Sequence, residues 1–311
     1  NPMESSNPIN YPQQARGFGH IESDYILLQV GLSYAYEITD KFSIGVQPNI
    51  NYATLELMPN PTASPNNSGY PSTDKASAIG FGAQFGLFYD SGIGLKLGAS
   101  YKTTQKFSDY EFDNTYLDNS TSTSEFAMDY PAILSFGVGY SIGVIDLALD
   151  FRRVDYENTE GFEKSGWTIA ENGFPNGSVA GFGWENISIL SAGLQYKGID
   201  KLPLRFGYTY SSNPISEDLT FFNVPATAII KDAFQFGLSY VVNDAWTIDG
   251  VFHYGDSGGA TKDKVLDPTP QAFGGPWEAN TNPLGVIPGS SVSYNMTTSM
   301  VMMGISYTFN K

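Results

Sequence analysis

The amino-acid sequence predicts an all-β protein, a transmembrane antiparallel β-barrel with about eleven strands in this chain. Apolar residues alternate with small or polar residues in many segments, which is the period of a β-strand. Short and long connections alternate between these segments, and tyrosines recur near the segment ends. Short turns at one end, long loops at the other and two aromatic girdles are typical of barrels that cross an outer membrane.

The alternation is clearest near the C-terminus. Val301, Met303 and Ile305 share one face of a predicted strand, and the other face is mostly small or polar. Ten earlier segments show the same pattern. The predicted strands are 24–36, 42–57, 77–89, 92–110, 125–141, 144–156, 186–197, 201–211, 231–242, 244–255 and 292–309.

A Gly-x-x-Tyr pattern recurs near the ends of these segments. Its tyrosines are Tyr34, Tyr89, Tyr101, Tyr140, Tyr196, Tyr210, Tyr240 and Tyr307. Tyrosine is favoured at membrane interfaces because its ring is apolar and its hydroxyl binds water. The alternative is a soluble barrel or sandwich, but such a protein would carry a charged outer face, which this sequence lacks.

The long connections define an orientation. A barrel chain begins and ends on the periplasmic side, where its turns are short, so we expect the long connections to face the outside. These loops are rich in Asn, Pro, Ser, Thr and Asp. They are 58–76, 111–124, 157–185, 212–230 and 256–291.

Composition excludes several classes of function. Lys and Arg number 16 against 32 Asp and Glu, a net charge of −16, so no basic patch is available for nucleic acid. The absence of Cys excludes disulfide scaffolds and thiolate metal sites. The two histidines, His20 and His253, limit any histidine-based catalytic centre. We therefore expect no enzyme, no metal and no cofactor.

Eleven strands is an odd number, whereas single-chain bacterial barrels have an even one. An odd number leaves unpaired backbone groups facing lipid, which costs several kcal/mol for each group. We therefore expect further strands upstream, three of which would make fourteen. Residues 1–23 would then be the remnant of an external loop, and 24–311 the barrel domain. The alternative is a strand hidden in 157–185 or 256–291.

Several long segments follow the pattern of a known protein family. One is RFGYTYSSNPISEDLTFFNVPATAIIKDAFQFGLSY at 205–240, whose matching features are Arg205, Gly207, Tyr208, Asn213–Ile215, Phe221–Val224, Lys231 and Asp232. The others are SIGVQPNINYATLELMPNP at 43–61, GFGAQFGLFYDSGIGLKLGASYKT at 80–103, LALDFRRVDYENTEGF at 147–162 and IPGSSV at 287–292. Together these segments resemble the FadL/TodX family of outer-membrane transporters of hydrophobic compounds.

The resemblance implies a fourteen-stranded barrel closed by an N-terminal hatch. It also implies diffusion-driven uptake of long-chain fatty acids or aromatic hydrocarbons, with a lateral exit at a kinked early strand. The hatch and the first three strands of the family would precede Asn1, so the exit cannot be placed on any residue here.

Strict alternation assigns several basic residues to the lumenal face. A hydrophobic ligand with a carboxylate head needs a cation in an otherwise apolar pocket. Arg205 and Lys96 are the first candidates, since both lie in the predicted periplasmic half and Arg205 can hold a carboxylate bidentately. Arg152 and His253 are further candidates. In the alternative interpretation, the cations pair with lumenal aspartates and stiffen the barrel. These aspartates are Asp146, Asp150 and Asp249.

One lumenal aromatic residue interrupts a row of small residues. Phe88 follows Gly82 and Gly86 on the same face. It either lines a ligand path or fills the space that the glycines leave, and both interpretations stay open.

The external loops carry apolar residues that solvated loops do not need. We select Trp167, Phe221, Phe222 and Val224 as a landing surface for a hydrophobic ligand. The alternative is that they pack between the loops.

These observations predict an integral protein of a bacterial outer membrane that takes up hydrophobic small molecules passively. Long-chain fatty acids and aromatic hydrocarbons are the expected ligands, and outer-membrane lipid and lipopolysaccharide the expected surroundings. Two alternatives remain. A general porin for polar solutes predicts a water-filled lumen, and a structural barrel subunit of a larger assembly predicts a stable protein partner.

Overall fold

The computed structural model describes residues 21–268 and 277–309, and these ranges are almost entirely β-structure. Two short 3-10 helices, Glu217–Leu219 and Phe221–Asn223, lie in one loop. The strands are β1 (Glu22–Gly31), β2 (Tyr34–Thr39), β3 (Phe42–Met58), β4 (Ser72–Thr73), β5 (Ala76–Asp90), β6 (Leu95–Lys102), β7 (Lys106–Phe107), β8 (Tyr110–Thr115), β9 (Thr121–Phe126), β10 (Ala132–Ile142), β11 (Ile145–Asp155), β12 (Trp167–Ile169), β13 (Pro175–Val179), β14 (Ile187–Tyr196), β15 (Leu204–Ser211), β16 (Asp232–Val241), β17 (Trp246–Asp256), β18 (Thr261–Asp263), β19 (Val292–Tyr294) and β20 (Thr297–Tyr307).

One antiparallel sheet forms the wall. Its hydrogen-bonded order is β1-β3-β5-β6-β10-β11-β14-β15-β16-β17-β20, so each strand pairs with the next wall strand along the chain. β2 continues β1 along β3, and β7 continues β6 along β5. Within the part of the chain that the structure describes, the prediction of eleven wall strands is confirmed.

Some predicted strand limits were wrong. The strand predicted at 92–110 is interrupted after Lys102, because the Thr103 hydroxyl accepts the Ala83 N–H at 3.1 Å and the register along β5 shifts before β7. The strand predicted at 125–141 pairs in the wall only from Ala132, directly after Pro131, which has no N–H to donate.

Four of the long connections carry short strands that pair outside the wall. β4 pairs with β8 and β8 with β9, which joins connection 58–76 to connection 111–124. β12 pairs with β13 inside 157–185, and β18 inside 256–291 pairs with β19, which begins the strand predicted at 292–309. The alternative of a further wall strand in 157–185 is therefore wrong, and the described residues of 256–291 add none to the wall. The assignment of residues 1–23 to an external loop stays a prediction. Residues 1–20 lie outside the described ranges, and β1 begins at Glu22.

The outer face of the wall is apolar. On β11, Leu147, Leu149 and Phe151 all point outward and are exposed, and the same holds for Val301 and Met303 on β20. Within 21–268 and 277–309, no helix is both long enough and apolar enough to cross a membrane.

The interior differs between its two ends. The end with the long loops is filled by a cap core, a cluster of buried aromatic residues packed with aliphatic ones. Its large rings are Tyr110, Phe112, Phe126, Phe162, Phe182 and Trp184. Toward the short turns, the inward-facing residues are mostly glycine and serine instead. These small residues leave open space in the part of the lumen nearer the short turns.

Candidate functional site

A cavity of about 660 Å³ lies in the lumen against the strands from β2 to β11. Its volume falls within the range of about 300–1,000 Å³ that is usual for small-molecule sites. We call it the lumenal cavity. Its inward-facing residues are Ala35, Ser43, Gly45, Gln84, Gly86, Phe88, Gly98, Ser100, Lys102, Ile133, Ser135, Gly137, Asp150 and Arg152.

Glycines keep this cavity open. Gly45 pairs directly with Gly86, and Gly98 pairs directly with Gly137. A Cβ atom built on Gly98 would meet nothing within 4 Å, so the space beside it is free. Phe88, paired with Gly98 across β5 and β6, reaches into the same space and is 45% exposed. It therefore lines the cavity.

The cavity carries two cations and one anion. Lys102, Arg152 and Asp150 belong to one lining, so the three charges sum to +1. Among the described residues, neither cation has an acidic oxygen within 4.0 Å. The Asp150 carboxylate instead fills the space beside Gly137. Both cations therefore keep their charge available to a ligand.

Lys102 is fixed from two sides. Its Nζ donates to Gln29 Oε1 at 2.9 Å and lies 4.5 Å from the centre of the Tyr130 ring. Lys102 shares the lumenal face of β6 with Lys96, but sequence reasoning did not select it as a site residue. No local pattern indicates its partners, because Gln29 is 73 positions away.

Gln29 belongs to a buried set of side-chain amides above the cavity, which we call the amide shelf. It consists of Gln29, Asn51 and Gln105, and the last two are fully buried. Gln29 Nε2 donates to Asn51 Oδ1 at 2.9 Å and to Gln105 Oε1 at 3.3 Å. Asn51 Nδ2 donates to Gln105 Oε1 at 3.1 Å, and Gln105 Nε2 donates to Thr103 O at 2.6 Å.

The first-choice cations have internal partners. Arg205 Nε donates to Gln195 Oε1 at 2.6 Å, and its NH1 donates to Ser239 Oγ at 2.7 Å. The same NH1 lies 3.9 Å from Asp249 Oδ1. Lys96 Nζ lies 3.7 Å from Asp90 Oδ2. Arg205 thus lies near Asp249, one of the aspartates of the pairing interpretation, whereas the partner of Lys96 is a different aspartate, Asp90. Neither cation lines the lumenal cavity.

The remaining lumenal candidate lies on another part of the wall. His253 on β17 pairs with Gln235 on β16, and their side chains meet at 3.2 Å. Because the Gln235 amide nitrogen can only donate, His253 Nδ1 is the acceptor. The structure does not bring His253 together with Arg152 or Phe88 in the lumenal cavity.

The loop aromatics lie in a second buried cluster. Trp167, Phe221 and Phe222 pack together, and the Trp167 ring is 4.8 Å from that of Phe222. Trp167 Nε1 also donates to Leu284 O at 2.8 Å. Val224 is half-buried. The rings therefore fill the interior of the loops, as the packing interpretation expects.

Asn223 connects the loops and is a residue that sequence reasoning did not select. Its Oδ1 accepts Trp184 Nε1 at 2.6 Å, and its Nδ2 donates to Phe182 O at 2.9 Å and Leu219 O at 3.0 Å. It is fully buried, so all three bonds form away from water. Asn223 thus joins loop 212–230 to the cap core.

The cap core also holds its tyrosines in the neutral form. Burial raises the pKa of Tyr156 to about 12. Burial likewise raises the pKa of Tyr110 and that of Tyr294. These hydroxyls therefore keep their protons to a higher pH than an exposed tyrosine does.

A short sequence pattern near β17 resembles a serine nucleophile but has a structural role. Gly-Asp-Ser-Gly-Gly occupies 255–259. The Ser257 hydroxyl donates to Gly259 O at 2.7 Å and accepts the Met296 N–H at 3.2 Å. It thus fastens the end of β17 to the connection that precedes β20.

A comparison with known protein families shows to which family this chain belongs. Residues 6–309 match the model of the family described as outer membrane protein transport protein (OMPP1/FadL/TodX). The chain belongs to the FadL/TodX family. It is therefore an outer-membrane β-barrel transporter, as the resemblance predicted.

Solved structures show the same fold. The toluene transporter TbuX of Ralstonia pickettii aligns with a TM-score of 0.58 at 16% identity, over 92% of this chain and 68% of that one. The toluene transporter TodX of P. putida gives 0.59 at 16%, over 93% and 71%. A Pseudomonas aeruginosa FadL homologue gives 0.62 at 13%, over 92% and 68%. No curated protein sequence matches the chain.

Family membership places the described features in a membrane. The apolar outer face of this FadL/TodX barrel lies in the outer membrane, and the lumenal cavity lies inside a transporter wall. The family and the structural neighbours are transporters and channels. The lumenal cavity is therefore the candidate transport site.

Proposed function

We propose that this chain takes up hydrophobic molecules with an anionic head group, with long-chain fatty acids as the main substrates. The observation that carries the proposal is Arg152. Arg152 belongs to the lining of a cavity of about 660 Å³, and no acidic side chain among the described residues pairs with it. A carboxylate would supply the missing counter-charge.

The cavity suits both parts of such a ligand. Arg152 and Lys102 provide charge-assisted hydrogen bonds for the head group, which are about twice as strong as neutral ones. The space beside Gly98, with Phe88 and Ile133, offers an apolar path for the tail. A pure hydrocarbon would bring no counter-charge for the two cations. TbuX and TodX are described as toluene transporters, so aromatic hydrocarbons are the second substrate class to test.

Uptake is passive in this proposal. Ligand is captured at loops 157–185 and 212–230, passes the apolar cap core and reaches the lumenal cavity without ATP, cofactor or covalent chemistry. Trp167, Phe221 and Phe222 shape the capture loops from inside, and Val224 offers part of the contact surface. Outer-membrane lipid and lipopolysaccharide surround the wall.

Mass spectrometry of organic extracts tests this proposal. The protein is purified from its native membrane beside a control barrel purified identically. The expected result is a near-stoichiometric fatty acid that the control lacks. A bound aromatic hydrocarbon would overturn the head-group assignment but keep hydrophobic uptake. An extract equal to the control, together with ion conductance in a planar bilayer, would support the porin alternative instead.

A further inference from the structure

The hydrogen bonds of the amide shelf fix the direction of every amide in it. Gln105 Nε2 is held by Thr103 O at 2.6 Å, so Gln105 Oε1 must point into the shelf. There it accepts from both Gln29 and Asn51. Turning any one of these amides over would bring two donors or two acceptors together in a buried place, which is costly.

This direction determines what Lys102 contacts. Both N–H groups of Gln29 are used, one on Asn51 Oδ1 and one on Gln105 Oε1. Its Oε1 is therefore turned toward Lys102, whose Nζ donates to it at 2.9 Å. The position of the ammonium thus follows from a chain of bonds that begins at Thr103.

The partner of Lys102 is a neutral acceptor. An ammonium has three protons, and one bond to an uncharged oxygen leaves two protons and the whole charge for a ligand. A carboxylate at the same place would neutralise the cation, as Asp90 does for Lys96 and Asp146 does for Lys197. Lys102 is thus held in place without losing its charge.

We propose that Gln29 is a positioning residue, which presents Lys102 to the head group and makes the lumenal cavity select anionic over neutral amphiphiles. The proposal rests on the proposed function, because it needs a ligand head group in that cavity. Gln29 itself does not line the cavity. It acts through Lys102.

Binding of two matched ligands tests it. Tritiated palmitate and tritiated hexadecanol share a chain length and differ only in the head group, and each is bound to the purified full chain in detergent. The wild-type protein should prefer palmitate, and Lys102→Met should reduce that preference about tenfold. Gln29→Leu should reduce it about fivefold, the effect of one hydrogen bond, without changing hexadecanol binding.

Two further variants separate positioning from general damage. Gln29→Glu should reduce the palmitate preference at least as much as Lys102→Met, because its carboxylate pairs with the ammonium. Gln29→Leu combined with Lys102→Met should equal Lys102→Met alone. Gln47→Leu is the matched control, since Gln47 lies in the same wall but bonds Asn49 and Ser33. Gln47→Leu should leave the binding of both palmitate and hexadecanol unchanged.

The outcomes distinguish the two levels of the proposal. If Lys102→Met loses the palmitate preference and Gln29→Leu keeps it, the positioning role is overturned and the proposed function stands. If the wild-type protein shows no preference and Lys102→Met changes nothing, the head-group function itself fails. If Gln29→Leu does not fold, Gln29→Asn keeps the amide but shortens its reach, and an undiminished preference there would overturn the positioning role.

Discussion

Gly98 lies directly opposite Gly137 in the pairing of β6 with β10, so the lumenal face carries no side chain at that level of either strand. A Cβ atom on Gly98 would meet nothing within 4 Å. Gly250 on β17 is equally free of neighbours but points outward, between the outward-facing Ile248 and Phe252. The same substitution at the two glycines therefore places a side chain in the lumen in one case and on the outer face in the other.

Gly98→Phe should close the lumenal cavity. The added Cβ meets nothing within 4 Å and the ring enters the cavity beside Phe88, so the barrel should fold. Uptake of palmitate into proteoliposomes should fall by about tenfold or more because the ligand volume is occupied. Gly250→Phe should leave uptake unchanged. Equal uptake by both variants and the wild-type protein would show that the ligand path avoids this cavity.

Arg152→Gln should weaken palmitate binding by about tenfold, since one charge-assisted bond to the head group is lost. Binding of hexadecanol should not change. Asp150→Asn removes the only lumenal anion in the lining and should strengthen palmitate binding by about threefold. Equilibrium binding in detergent measures both effects. Equal losses for the acid and the alcohol would mean that Arg152 supports the cavity shape and not the head group.

The strands could be predicted from the sequence because lipid and lumen impose different residues on the two faces. On β11, Leu147, Leu149 and Phe151 face outward and produce the period directly. The interruption after Lys102 could not be predicted, because it depends on the Thr103 hydroxyl, which takes the place of a backbone acceptor for the Ala83 N–H.

The site was predicted only in part, because several of its residues have hydrogen-bond partners far away in the sequence. Arg152 and Phe88 were placed in the lumen by alternation, and they do line the cavity. The role of Lys102 needs Gln29, and the internal partners of Arg205 lie 10 and 34 positions away. Alternation assigns a face to a residue, but it does not show which neighbours across the sheet already occupy its hydrogen bonds.

Arg205→Ala should destabilise the barrel and leave palmitate binding nearly unchanged. Two hydrogen bonds, to Gln195 and Ser239, are lost, and the side chain is partly exposed, so the free energy of unfolding should fall by about 1–2 kcal/mol. Urea unfolding followed by tryptophan fluorescence measures the change. Unchanged stability with weakened palmitate binding would support Arg205 as a head-group ligand after all.

The cap core should lose stability at high pH. Burial raises the pKa of Tyr156 from 10.0 to about 12, so the folded state holds this proton more tightly than the unfolded state does. The stabilisation is complete below pH 10 and is lost as the pH rises through about 12. Near-ultraviolet circular dichroism of the wild-type protein and Tyr156→Phe measures this. A cap transition at the same pH in both proteins would contradict the assignment.

Asn223→Ala should loosen the loops without unfolding the wall. It removes three buried hydrogen bonds and leaves the indole N–H of Trp184 without its acceptor, which costs about 1–3 kcal/mol for the unpaired group alone. The wall strands should keep their heat-modifiable mobility on gels, because Asn223 contacts loops and not wall pairs. Cleavage of the loops by a protease added from outside should become faster.

Asn172→Ala is the matched control for Asn223→Ala. Asn172 also lies in an external loop, but it is exposed and its side chain accepts only the Phe174 N–H, at 3.0 Å. Asn172→Ala should therefore be cleaved at a rate close to that of the wild-type protein. If both variants are cleaved equally slowly, the loops are held by the packing of Phe221, Phe222 and Trp167 alone. Faster cleavage of Asn223→Ala only would show that one buried amide holds the outer entrance closed.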